Sequence, residues 1–193
     1  LVDTVKRTHL SQYLEKIGRL VSDGNAIDYL IITHMEPDHS GSVPVLKRLY
    51  PGLIIVGNRK TLDLLKEFYG IVSDTVTVAD SDVLNIGRHT LKFVLTPMVH
   101  WPETMMVYDE TSRVLFSGDA FGSFKTLDGG IFDDEINRDR YDDEILRYFS
   151  NIVGKYSPMV QKAMARLKGL DIGTVASTHG PVWRSAPEYI MDK

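Results

Sequence analysis

Helical and extended hydrophobic patterns alternate through the first half of the chain. The predicted elements are a helix over 10–21, a strand over 27–33, a helix over 41–50, a strand over 53–57 and a helix over 58–70. Leucine, isoleucine and tyrosine side chains recur on one face of the first helix, and Gly24 ends that pattern. Asn58 is the predicted N-cap of the last helix, and Gly70 its end. This order is typical of a layered α/β fold.

Hairpin patterns interrupt this alternation in the middle of the chain. Short strands are predicted over 83–86, 91–95, 104–108 and 113–117, with Gly87-Arg88 and residues 109–112 as the turns. Helices follow over 141–153 and 157–167, then a strand over 173–176 and a helix over 186–191. Ser157-Pro158 suits a helix start, because proline is tolerated in the first turn. Antiparallel hairpins inside an α/β chain predict a mixed α/β (α+β) architecture.

Composition narrows the possible functions. The chain has 193 residues, a net charge of −4 and no cysteine. The charge argues against nucleic acid as a partner, and no apolar run is long enough to cross a membrane. Disulfides, thiolate metal sites and thiol nucleophiles are excluded. A Gly-x-Ser-x-Gly elbow and a glycine-rich phosphate loop are also missing from the sequence.

The N-terminal residues suggest an incomplete domain. The sequence begins Leu1-Val2-Asp3-Thr4, without methionine, and enters a helical pattern almost at once. We interpret this start as the end of a strand whose beginning is lost. No signal peptide pattern is recognised, and we expect a cytoplasmic protein.

Metal-ligating residues are concentrated directly after the first predicted strand. His34, Glu36, Asp38 and His39 lie within six positions. Pro37 opposes a continuous strand or helix interior, so we expect a loop that turns these side chains toward a common point. A purely structural role would suit a single histidine, but four such residues in one loop favour a metal site.

Three further residues of the same chemical type follow other predicted strands. They are His100, Asp119 and His179. Strand ends at one edge of a sheet are common positions for binding groups. Gly118 and Gly180 would let the backbone approach such a site closely.

This pattern resembles the metallo-β-lactamase superfamily, and specifically the flavodiiron proteins. The motifs that show the resemblance are His-x-Glu-x-Asp-His at 34–39, His100-Trp101-Pro102 and Gly118-Asp119-Ala120-Phe121-Gly122. Hydrolytic members usually have histidine where this chain has Glu36. The resemblance covers essentially the whole chain and implies an αββα sandwich, here without its N-terminal strands, as a single domain over 1–193.

The resemblance also implies a ligand assignment. His34, Glu36 and His100 would bind one iron, Asp38, His39 and His179 the other, and Asp119 would bridge the two, together with a bridging oxygen species. Because Asp38 and His39 are adjacent, Asp38 alone is the alternative ligand there. Four imidazoles and three carboxylates suit redox iron better than structural zinc.

The implied function is an oxidoreductase that reduces dioxygen to water, nitric oxide to nitrous oxide, or both. Electrons would come from FMN on a flavodoxin-like domain, which this chain lacks, so turnover by the chain alone is in question. That domain would belong to a neighbouring subunit of a homodimer or homotetramer. The electron donor would be rubredoxin or a reductase.

Three further residues are candidates for the site, and two other functions remain as alternatives. Trp101 and Glu103 are candidate pocket-lining residues, and Trp183 could face a partner's flavin, with simple packing as the alternative for all three. The competing functions are a two-metal, di-zinc hydrolase of the same fold and a non-catalytic binding or assembly module. Glu36 argues against the hydrolase, and the intact ligand set argues against the module.

Overall fold

The computed structural model describes residues 1–21 and 27–193. These residues form two compact units, Leu1–Ala79 and Asp80–Lys193, and each unit is described by itself. The predicted helix stop at Gly24 lies outside the described residues. In the described part of the chain, no helix is long and apolar enough to cross a membrane.

The first unit combines a small parallel sheet with helices. Its elements are α1 (Leu10–Leu20), β1 (Tyr29–Ile31), α2 (Pro37–Ser40), α3 (Val43–Leu49), β2 (Ile54–Asn58), α4 (Arg59–Tyr69) and β3 (Thr75–Val78). The strands pair in the order β1-β2-β3, all parallel. Val2 adds an isolated parallel bridge to Ile31.

Local signals and burial explain these elements. The Asn58 side chain accepts a hydrogen bond from the Thr61 N–H at 3.1 Å, and Gly70 ends α4 with φ of 67°. Both predicted boundaries are therefore confirmed. A cluster of apolar side chains from the helices and strands forms the core, including Ile17, Leu30 and Leu46. Buried strands with little polar alternation are typical of parallel sheets.

The second unit is built on a larger, mostly antiparallel sheet. Its elements are β4 (Val83–Ile86), β5 (His89–Leu95), β6 (Met105–Asp109), β7 (Val114–Gly118), α5 (Asp142–Tyr148), α6 (Ser157–Leu167), β8 (Thr174–Ser177), β9 (Val182–Trp183) and α7 (Pro187–Asp192). The order is β4-β5-β6-β7-β8-β9, and only the pairing of β7 with β8 is parallel. Both predicted hairpins are confirmed.

Three features of the structure depart from the predicted elements. The expected loop over 34–39 ends in the short helix α2, because Pro37 occupies its first turn, where a missing N–H costs nothing. The predicted helix over 141–153 changes at Phe149–Val153 into a π-helical turn. Strands β3 and β9 were not predicted, since both are short and depend on pairing with distant strands.

A buried aspartate organises the turn between β6 and β7. Asp109 accepts hydrogen bonds from the Thr111 and Ser112 N–H groups and from the Ser112 hydroxyl, and it lies 2.6 Å from His89 Nδ1. Burial of the carboxylate opposes ionisation. The hydrogen bonds from Ser112, His89 and the turn backbone outweigh burial and hold the pKa of Asp109 below its usual range.

Replacing Asp109 with Asn is expected to lower the free energy of unfolding by about 2 kcal/mol near neutral pH, because the turn donors lose a charged acceptor. A depressed folded-state pKa adds stability above the unfolded pKa, and this stability disappears as the pH falls through the folded value. Urea unfolding of both proteins from neutral pH to below 3.8, the ordinary aspartate value, measures the effect. The difference should shrink with acidification, and a constant difference would contradict the assigned cause.

Candidate metal site

The first unit brings its four candidate ligands together as two pairs. His34 lies between the end of β1 and α2, and its Nε2 is 3.3 Å from Glu36 Oε2. His39, in α2, has its Nε2 3.8 Å from Asp38 Oδ1. The two imidazoles are buried, and their ring centroids are 5.0 Å apart. Both carboxylates are more exposed than the imidazoles.

A residue outside the predicted ligand set orients His39. Asp3 Oδ2 lies 3.1 Å from His39 Nδ1, and both groups are buried. Because Nδ1 faces this carboxylate, Nε2 is the nitrogen directed toward Asp38. A carboxylate on the far nitrogen of a metal-binding histidine fixes the tautomer and raises ligand basicity. Sequence patterns did not identify Asp3, since it lies 36 positions from His39.

Further hydrogen bonds hold Asp3 and the α2 backbone in place. Asp3 accepts from the Thr33 N–H at 2.7 Å and from the Thr33 hydroxyl. Thr4 donates its hydroxyl to the His39 carbonyl at 2.7 Å. Tyr13 donates to the Asp3 carbonyl at 2.8 Å. Burial and the nearby Asp3 charge raise the pKa of Tyr13 well above its usual range, so this phenol remains a donor.

The second unit brings its three candidate ligands together around one carboxylate. Asp119 follows β7 and is buried. Its Oδ2 lies 3.0 Å from His100 Nε2, and its Oδ1 lies 3.3 Å from His179 Nε2. The Thr178 hydroxyl donates to Asp119 Oδ1 at 3.0 Å. One carboxylate thus presents a different oxygen to each of two imidazoles.

Glycines allow the backbone around these ligands to turn. Gly118 and Gly180 have φ of 61° and 83°, a conformation that side-chain-bearing residues rarely adopt. A Cβ at Gly180 would meet Ser123 Oγ at 2.2 Å. Close approach at Gly180 is therefore incompatible with a larger residue.

The three candidate pocket-lining residues differ in burial and in their contacts. The Trp101 ring lies edge-on to His100, with 6.4 Å between centroids. Glu103 is buried. Trp183 is completely buried and packs 5.5 Å from the Tyr189 ring. A side chain without exposed surface favours the packing alternative for Trp183 over a contact with a partner's flavin.

Comparison with known proteins identifies the family. The family model described as ODP family beta lactamase matches residues 1–180. The chain belongs to this ODP beta-lactamase family. The candidate ligands at 34–39, His100, Asp119 and His179 all fall inside the matched region.

Similar proteins carry names that agree with the predicted resemblance. The chain is 30% identical over 195 residues to a nitric oxide reductase from Moorella thermoacetica, matching all of this chain and 48% of that protein. It is 34% identical over 196 residues to an anaerobic nitric oxide reductase flavorubredoxin from an Enterobacter species, matching all of this chain and 40% of that protein.

Solved structures give the same result for the fold. A rubredoxin oxygen:oxidoreductase from Desulfovibrio gigas matches with a TM-score of 0.92 at 28% identity, over 99% of this chain and 48% of that one. A variant flavo di-iron protein from Thermotoga maritima matches with a TM-score of 0.90 at 30% identity, over 99% and 47%. The predicted fold class and the resemblance to flavodiiron proteins are confirmed. The ODP-family chain spans less than half the length of each of these relatives.

Proposed function

We propose that this chain is the metal-binding part of a flavodiiron oxidoreductase that reduces dioxygen to water, nitric oxide to nitrous oxide, or both. The observation that carries the proposal is the Asp119 carboxylate, which presents one oxygen to His100 and the other to His179. A carboxylate that offers one oxygen on each side, with an imidazole beside each oxygen, is suited to bridge two metal ions at the separation of two-metal sites.

The pairs in the first unit support the proposed division of ligands. His34 and Glu36 would serve one iron with His100, and Asp38 and His39 would serve the other with His179. Asp119 would bridge them. The distance of 3.8 Å between Asp38 Oδ1 and His39 Nε2 supports keeping both residues in the proposed ligand set, with Asp38 alone as the alternative.

The chemistry of the donor set fits iron. Imidazoles and carboxylates without sulfur are typical of non-haem iron sites, whereas structural zinc sites commonly contain cysteine. Two ferrous ions would supply electrons and open coordination positions for a diatomic gas. Three carboxylates offset most of the charge of such a pair, which lowers the cost of burying it.

The surrounding residues would keep the ligands in position. Asp3 holds Nδ1 of His39, and Thr178 holds one oxygen of Asp119. The Trp101 ring packs against His100 in a T-shaped contact and would help to orient that imidazole. Preorganised ligands of this kind reduce the reorganisation that metal binding would otherwise require.

Sustained turnover requires an electron supply. We propose that FMN on a flavodoxin-like domain of a neighbouring subunit provides it, with rubredoxin or a reductase as donor. The names flavorubredoxin and rubredoxin oxygen:oxidoreductase among the similar proteins support this part of the proposal. A homodimer or homotetramer, and a cytoplasmic location, belong to the same proposal.

A single-turnover experiment tests the reaction of the irons without the flavin. Two ferrous ions supply the two electrons that form nitrous oxide from nitric oxide, and half of the four that turn dioxygen into water. The chain is loaded anaerobically with ferrous iron and mixed with dioxygen or nitric oxide, and gas uptake and nitrous oxide are measured. We expect uptake in proportion to bound iron, and only background uptake by the Asp119→Asn variant. If the iron-loaded chain consumes neither gas while the zinc-loaded chain cleaves esters or phosphodiesters, the hydrolase replaces the reductase.

A further inference from the structure

The second unit contains a cavity that the proposed metal site does not explain. It has a volume of about 460 Å³ and lies among β6, the helices α5 to α7 and the π-helical turn. Its wall is mainly aliphatic, methionine and aromatic, with Met106, Val153, Val160, Ala163, Met164 and Ile190 among its members. Leu146 and Phe149 also line it and are exposed, so the cavity reaches the protein surface.

The inner wall of this cavity adjoins all three candidate ligands of the unit. Val99 precedes His100, and Ala120 follows Asp119. The Tyr148 ring also lines the cavity, and its centroid is 5.7 Å from that of His179. Each candidate ligand of the unit is therefore next to a wall residue, His100 and Asp119 in sequence and His179 by ring contact.

We propose that this cavity binds small apolar molecules and admits the diatomic gas to the ligands of the metal site. The admission step rests on the proposed function, whereas the binding step does not. A mainly apolar lining favours apolar guests over charged ones, and dioxygen and nitric oxide carry no charge and form only weak hydrogen bonds. The volume falls within the range of small-molecule pockets and exceeds what one diatomic molecule requires.

The charged residues of the cavity wall are compatible with a small, uncharged guest. Asp142 lies 2.9 Å from Lys193, and both are partly exposed. Asp142 also accepts a hydrogen bond from the Tyr189 hydroxyl. Asp143, the third charged residue of the wall, is exposed. These charges are in contact with solvent at the rim, so the interior favours an uncharged guest.

Dissolved dioxygen is itself a probe of the cavity, because it is paramagnetic and increases the relaxation of nearby nuclei. Met105 and Met106 are both 1% exposed and lie on opposite faces of β6. Met106 lines the cavity, and Met105 is absent from its wall. With methyl-labelled methionine in the full 193-residue, metal-free chain under dioxygen pressure, we expect relaxation of the Met106 methyl to increase several-fold more than that of Met105.

Two matched variants in α6 make the test specific. Met164→Trp would occupy the cavity, whereas Met159→Trp places the same side chain at a partly buried position of the helix outside the cavity wall. The first variant should remove the excess relaxation at Met106, and the second should leave it. Equal relaxation at Met105 and Met106 in the unsubstituted chain would overturn the proposed binding site. That conclusion holds both if gas cannot enter the cavity and if a larger apolar ligand already fills it.

Admission to the metal is tested separately on the iron-loaded chain. Met164→Trp should slow single-turnover gas uptake several-fold at low gas concentration, with iron content and uptake at saturating gas unchanged, and Met159→Trp should have no effect. Unchanged uptake in Met164→Trp would overturn the admission step. If the unsubstituted iron-loaded chain consumes no gas, the proposed function and the admission step fail together, and the relaxation result alone decides whether the cavity binds apolar molecules.

Discussion

Replacing Asp119 with Asn is expected to abolish stable binding of both irons while the chain remains folded. The substitution keeps the shape of the side chain but removes the charge that faces His100 on one side and His179 on the other. Because Asp119 is the proposed ligand of both ions, its loss should affect both equally. Elemental analysis of anaerobically reconstituted protein, with circular dichroism as the folding check, measures the result.

Asp109→Asn is the matched control for this experiment. Asp109 is also a buried aspartate that accepts several hydrogen bonds in the second unit, but its partners are the turn residues Thr111 and Ser112 and the imidazole of His89, none of them a candidate ligand. The control should lose stability and keep its iron. If Asp119→Asn retains both irons, or loses only one, Asp119 is not a shared ligand and the proposed site must be redrawn.

Replacing Asp3 with Ala is expected to weaken metal binding by about 10- to 100-fold, the usual consequence of losing a histidine's outer carboxylate. His39 would lose the acceptor that fixes its ring, and the buried Thr33 N–H would lose its partner. Such a buried unsatisfied donor costs about 1–3 kcal/mol of unfolding free energy. Metal competition titration and urea unfolding measure the two effects.

Backbone conformation needs its own control here, because Asp3 has a φ of 54° that alanine tolerates poorly. Asp74 has the same φ of 54° and lies in an exposed position of the same unit, paired with Lys47. Asp74→Ala should therefore reproduce the backbone strain and leave metal binding unchanged. Equal loss of metal affinity in both variants would show that strain, not the missing carboxylate, is the cause.

Much of the fold could be predicted because its signals are local. The Asn58 cap, the Gly70 stop and the hairpin over 83–95 depend on neighbouring residues and hydrophobic period. The two missed strands depend on distant partners: β3 pairs with β2, and β9 is a two-residue strand beside β8. The π-helical turn after Tyr148 has no distinct hydrophobic pattern.

In the candidate site, too, some features could be predicted from local sequence motifs and others depend on residues far apart in the chain. The resemblance implied the grouping of His34 with Glu36 and of Asp38 with His39, and the adjacency of Asp38 and His39 left Asp38 alone as the alternative. The resemblance implied Asp119 as the shared ligand, and the structure adds the contacts of its two oxygens with His100 and His179, beside the pairing of β7 with β8. Asp3 was missed because a buried aspartate far from its histidine leaves no local pattern. For Trp183 the sequence left packing and flavin contact as alternatives, and its complete burial favours packing.

Metal content of the chain, purified anaerobically from iron-replete cells, tests the central claim most directly. Iron and zinc are quantified per chain by elemental analysis, before and after reconstitution with ferrous iron. A di-iron site predicts about two irons per chain and little zinc. Two zinc ions that ferrous iron does not replace, or no metal even after reconstitution, would contradict the di-iron assignment.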